Sequence, residues 1–219
     1  MYLPLWNKTN YTLLSSLLKV DSLIRYAVER RLSSMAICDD NMFGVMEFIK
    51  KCEKNGIKPV VGLELHLDEF DILLYAKNYS GYQSLMRLST IQSERVINLE
   101  DLEKNKNSVI SVLPFLYKEK YMELSSLYED LYLGYQNVRD EKEALLVSKQ
   151  VVYLPCNLYF ESKDRDILPY LYRIRDGKTI LDDMEYDILD HELVRDELSF
   201  PVNSQGILNT SFIAEECFI

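Results

Sequence analysis

The sequence predicts an α/β protein with a parallel or mixed sheet, and three observations carry that expectation. Residues 35 to 78 read strand, helix, strand, strand with hardly a spare residue between them. Two further-separated segments place apolar residues at i, i+3, i+4 and i+7, the stripe of a helix that covers a sheet. Strand and helix signals then alternate along the rest of the chain with no Pro-, Gly- or Ser-rich linker and no internal repeat, so the 219 residues are expected to form one domain, 1–219.

Taken in order, Tyr2 to Leu5 can form a short first strand. A helix is expected from Asp21, placed to cap it, to about Arg31, with Ile24, Ala27 and Val28 inward. Met35 to Cys38 is an apolar run ending in two acids, Asp39 and Asp40. Val45, Phe48, Ile49 and Cys52 make the first clean helical stripe, closed by Asn55 and Gly56. From Val61 a strand alternates, with Val61, Leu63, Leu65 and Leu67 on one face and Gly62, Glu64 and His66 on the other. Phe70 to Ala76 is the next strand, with Asp71 on the face opposite Ile72 and Leu74. Ser80 is expected to cap a helix bearing Tyr82, Leu85 and Met86, and Asn98 to Lys106 to form a short charged surface helical turn. Ser108 to Leu113 is a strand stopped by Pro114. Tyr121 to Glu129 and Glu141 to Lys149 look helical, with a strand at Leu131 to Tyr135 between them. Val151 to Tyr159 is β-branched and aromatic, hence a strand. Ile167, Tyr170, Leu171 and Ile174 give the second stripe, with Pro169 in its first turn and Gly177 at its end. Residues 181 to 206 are acidic and irregular, and Asn209 to Ile219 begin a helix, the chain ending as though cut from something longer.

Composition narrows the function classes. With 47% hydrophobic and 27% charged residues the chain is globular rather than disordered. Its net charge of −10 is spread along the sequence. The nearest approach to a basic cluster is Arg173, Arg175 and Lys178 at one helix end, a placement that suits a helix dipole, so no direct nucleic-acid binding is expected. Four cysteines, Cys38, Cys52, Cys156 and Cys217, without a CxxC pair, read as reduced buried thiols of a cytoplasmic protein. No stretch reaches membrane-spanning length. No phosphate-binding glycine loop is present, and the Tyr-rich helix faces read as core. In an α/β sheet the functional side chains collect at the carboxyl ends of the strands, which directs attention to Asp39, Asp40, Glu64 and Asp71.

Several segments in order, NYTLLSSLLKVDSLIRYAVERRLSSMAICDD, NMFG, GIKPVVGLE, LLYAKNYSGYQSLMRLS and YRIRDGK, resemble the N-terminal polymerase and histidinol phosphatase (PHP) domain of bacterial replicative DNA polymerase III alpha subunits, low-GC Gram-positive type. The resemblance implies a distorted β/α (TIM-like) barrel. It also implies a site at the strand ends where metal-binding members hold up to three ions with His, Asp, Glu and sometimes Cys. Position by position, the family's ligands fall on Trp6 and Lys8, on Asp39 and Asp40, on Glu64, on Asp71, and on Cys156 and Leu158. Only Asp39 and Glu64 keep the family residue, and the whole chain has two histidines, His66 and His191. The implied constellation is broken: no catalytic residue is assigned, no cofactor is expected, and Lys8 is expected to neutralise Asp39 or Glu64 where a metal stood. If an ion remained, Asp39, Glu64, His66 and Asp71 would hold it. The resemblance makes the domain a scaffold packed against the palm and thumb of a DNA-directed DNA polymerase. The parent would carry Mg²⁺ outside this chain and would meet primer-template DNA and replisome partners. A residual metal-dependent phosphoesterase or 3′-5′ proofreading exonuclease is the alternative, and a free-standing PHP-derived binding protein a third.

Overall fold

A computed structural model describes residues 2–179, 181, 182, 185, 186, 188, 193 and 204–219. Its frame is one six-stranded sheet in the order β1-β2-β3-β4-β5-β6, formed by Ser34–Asp39, Lys58–His66, Asp71–Ala76, Val109–Pro114, Leu131–Tyr135 and Val151–Tyr153. β1 and β2 run parallel, β3 is antiparallel to both of its neighbours, and β4, β5 and β6 are again parallel. The carboxyl ends of five strands and the amino end of β3 therefore share one edge. β1, β4, β5 and β6 are buried along their whole length. Helices cover the outside: α1 (Val20–Glu29), α2 (Val45–Lys54), α3 (Tyr79–Glu94), α4 (Leu99–Lys104), α5 (Tyr121–Ser125), α6 (Val138–Val147) and α7 (Leu168–Arg175).

The sheet curls, and the chain's own beginning closes it. Asn7 lies between β1 and the stretch that follows β6. Its carbonyl accepts from Cys38 N at 2.9 Å, while Lys8 N donates to Asn157 O at 3.1 Å and Asn157 N to Trp6 O at 2.9 Å. The fully buried Asn7 side chain donates to Ala36 O and Pro4 O, both at 2.9 Å, and accepts from Asn157 Nδ2 at 2.9 Å. Two buried amides thus satisfy one another across a seam whose backbone groups would otherwise lack partners. On the opposite edge lies α8 (Gln205–Glu216). Asn209 donates to Val151 O at the start of β6, and Phe218 N donates to Lys77 O just past β3.

The α/β class and the barrel architecture hold, and several local expectations are corrected. Tyr2 to Leu5 is extended without a ladder: Pro4 has no N–H, and Leu3 N goes to Thr210 Oγ1. α1 begins at Val20, and Asp21 sits in its first turn, where its carboxylate suits the dipole and takes Lys51 Nζ at 2.6 Å. Val28 is half exposed. Asn78, not Ser80, caps α3 by accepting from Gly81 N at 3.2 Å, and Met86 turns outward. A 3-10 turn, Phe115–Lys120, precedes a shorter α5 than expected. The strand expected over Val151 to Tyr159 ends at Tyr153, because the chain leaves β5 for the N-terminal segment and Pro155 cannot donate to a ladder. In α7 the buried residues are Leu168 and Tyr172, while Ile167, Tyr170 and Ile174 are exposed. Of the expected stripe only Leu171 packs against the core, so the buried face of α7 is turned away from most of it. Most of the stretch 181–206, and His191 with it, lies outside the described residues.

Candidate functional site at the carboxyl edge of the barrel

β1 and β2 deliver Asp39 and Glu64 to this edge, both 2% exposed. Asp39 is spent on the loop that follows the N-terminal segment: Oδ1 accepts from Thr9 N at 2.6 Å and Thr12 Oγ1 at 2.7 Å, and Oδ2 from Thr9 Oγ1 at 2.7 Å. Burial raises its pKa, and these donors pull against that rise. Glu64 meets Lys8, whose Nζ lies 2.5 Å from Oε2. Burial alone would lower the Lys8 pKa, but the Glu64 carboxylate outweighs it and holds the ammonium above its ordinary value. The same ammonium stands 5.5 Å from the centre of the Trp6 ring, within cation–π range.

At the outer side, Asp71 on β3 is opposite His66 in the register. His66 Nδ1 and Asp71 Oδ1 are 2.8 Å apart, and Tyr117 Oη donates to Asp71 Oδ2 at 2.9 Å. The bond to Asp71 raises the His66 pKa. Burial would raise that of Asp71, but His66 and Tyr117 bring it below the ordinary carboxylate value. Glu64, His66 and Asp71 each place a ligand atom within 4.8 Å of the others. Asp40 accepts from Asn41 Nδ2 at 2.7 Å. Cys156 is buried, and burial pushes its thiol up to about 12.

The structure thus brings together Trp6, Lys8, Glu64, His66 and Asp71, while Asp39 is engaged separately by Thr9 and Thr12. Sequence reasoning missed Thr9, Thr12, Tyr117 and Gln92. Gln92, from α3, donates to Asp40 O at 2.9 Å and Glu64 O at 3.0 Å and accepts from His66 N at 2.8 Å, which fastens the ends of β1 and β2 together. Nothing in a helix reading TIQSE marks it out. The seam asparagines carried a usable signal, since each is a lone amide inside an apolar run, LPLWNK and LPCNLY. Arg173 and Arg175 are turned to local acceptors, Thr179 O and Asp182 O for the first and Asp176 for the second.

Comparison with known proteins gives the family to which this chain belongs. The family model described as "PHP domain" matches residues 5–143, and the chain belongs to that family. Its curated relatives include DNA polymerase III subunit alpha of Halalkalibacterium halodurans, 27% identical over 96% of this chain and 22% of the relative. The Staphylococcus aureus subunit is 27% identical over 95% of this chain and 20% of the relative, and that of Streptococcus pyogenes 28% identical over 82% and 18%. The chain therefore spans about a fifth of the length of the curated relatives it matches. Among solved structures, an amidohydrolase from Chromobacterium violaceum with bound sulfate and no metal matches with a TM-score of 0.52 at 10% identity, covering 70% of this chain and 86% of that one, a likeness of fold.

A metal cluster of the kind the family's active members carry finds a poor donor set here. Trp6 and Leu158 offer no ligand atom, the Asp39 oxygens already accept three donors, and the Cys156 thiol holds its proton. The Lys8 ammonium, 2.5 Å from Glu64, would repel a cation at that carboxylate.

Proposed function

We propose that this chain serves as the PHP domain of a DNA polymerase III alpha subunit and acts there as a structural module with its metal chemistry lost. The observation that carries this reading is the Lys8–Glu64 ion pair, 2.5 Å long, in which a partly buried ammonium sets a fixed positive charge against the buried, retained family glutamate. The parent would be a replicative DNA-directed DNA polymerase, working in the cytoplasm with its own Mg²⁺. The barrel would pack on its palm and thumb and meet primer-template DNA and the replisome only through them. Elemental mass spectrometry on the untagged, chelator-free chain tests the loss of metal: the expected content after dialysis is far below one ion per chain. The Glu64, His66 and Asp71 cluster supports a second reading, a residual phosphoesterase or proofreading exonuclease. Stoichiometric zinc, manganese or iron, lost in His66→Ala, would favour that reading and overturn the first.

A further inference from the structure

The loop after the N-terminal segment and the entry to α2 meet at Tyr11. Its ring lies against Gly44, where a Cβ would stand 2.5 Å from Cδ2. Its carbonyl accepts from Asn41 Nδ2 at 2.9 Å, and its hydroxyl donates to Glu47 at 2.5 Å. On the two segments joined in this way four large apolar side chains stand in water: Leu13 is 73% exposed, Leu14 37%, Phe43 76% and Met46 54%. The segments themselves, YTLLSS and NMFGVM, hold no charged residue in a chain that is 27% charged, so nothing there resists removal from water. Single exposed apolar residues need no explanation, but a group of them on two abutting segments marks a contact surface.

The loop tip is also held still. Asp39 takes Thr9 and Thr12 on one side of it. On the other, Leu17 N donates to Leu158 O at 2.8 Å and Ser16 Oγ to Lys8 O at 2.5 Å. Between these anchors Leu14 has a φ of +56°, a left-handed backbone that a bulky side chain adopts only where its surroundings impose it. A surface fixed before contact loses little freedom on docking. Four side chains present roughly a few hundred Å², against the ~800 Å² per partner of a stable interface, too little to hold a second free copy of this chain. A surface on the same polypeptide needs far less, because the tether raises its effective concentration. The curated relatives are several times longer than the region this chain matches. We propose that Leu13, Leu14, Phe43 and Met46 form the face through which this domain docks on an uncharged, apolar surface of the remainder of its own alpha-subunit polypeptide. The inference rests on the polymerase reading and assigns the contact to the loop tip.

The test uses the intact native protein, whose mass gives the length of the polypeptide, and hydroxyl-radical oxidation read by mass spectrometry. The wild type is compared with the double variant Leu13→Asp with Phe43→Asp. Met46 is expected to be oxidised about tenfold more slowly in the wild type than in the variant, since an interface core excludes water. Met122, 73% exposed on α5, should react equally in both, and the fully buried Met35 in neither, which separates lost docking from lost fold. A polypeptide much longer than 219 residues in which Met46 reacts equally in both forms overturns the docking face and leaves the polymerase reading standing. A native mass no greater than 25.7 kDa overturns that reading, and the docking face with it. Protection of Met46 that fades on dilution overturns the assignment in favour of a second copy.

Discussion

Lys8 and Glu64 are the residues on which the site turns, and each is a liability without the other. A buried ion pair contributes little net stability, because desolvation offsets attraction, yet removing one member leaves an uncompensated charge. Lys8→Met is therefore expected to destabilise the chain by about 3–5 kcal/mol, and the double variant Lys8→Met with Glu64→Leu to recover much of that loss, both read from urea unfolding. His66 and Asp71 make a pH-dependent counterpart on the rim. The folded His66 pKa lies above its ordinary 6.5, so its contribution is complete below that value and fades as pH rises through the raised one. The folded Asp71 pKa is lowered, so its share is present above the ordinary carboxylate value and fades as pH falls through the lowered one. His66→Gln should remove the neutral-pH part of the dependence, and the His66 ring resonance followed by NMR should titrate above 6.5 in the parent chain. At this scale the acids at the strand ends were legible before the fold was known. The sequence did not reveal which acid Lys8 would meet, since Lys8 and Glu64 are joined only by the curl of the sheet.

The elements were legible where a single physical signal dominated. The strand at Leu131 to Tyr135 and the helix over Val45 to Lys54 stand where apolar patterning put them. Ends were less legible, because capping is a contest between neighbouring polar residues: Asn78 won over Ser80, and Lys19 took the place expected for Asp21. The α7 stripe marks a deeper limit, since a 3.6-residue period identifies an apolar face without saying which side of the helix the barrel lies on. Gly81 illustrates an element held by contact rather than by propensity. A Cβ there would stand 2.0 Å from the Ser108 carbonyl oxygen, so α3 and the turn before β4 would have to separate. Gly81→Ala is expected to cost at least about 1–3 kcal/mol, the range for overpacking, in thermal or urea unfolding. Gly56 has open space at its Cβ position and a φ of +67°, so its alanine variant would pay a backbone penalty of about 1 kcal/mol and no steric one.

For the molecule as a whole, closure is the decisive feature. The barrel class followed from alternation and resemblance, but the manner of closing, by two asparagines rather than by a full strand, lay beyond pattern reading. Asn7→Leu leaves Ala36 O and Asn157 Nδ2 short of a partner inside the seam, and a loss of about 3 kcal/mol or more is expected. Hydrogen exchange should report it first at Cys38 N, Lys8 N and Asn157 N, the seam amides, before the central strands β2 to β4 respond.

That seam joins residues 150 positions apart. During synthesis on the ribosome, β1 emerges early and pairs with β2, but the far side of the seam, Asn157, is made much later. Until then the N-terminal segment can hold β1 on one side only, and its other backbone groups form an open template for another chain. The nascent protein therefore passes through an interval in which it is most prone to pair with its neighbours. The length of that interval is set by the speed of translation between Asn7 and Asn157.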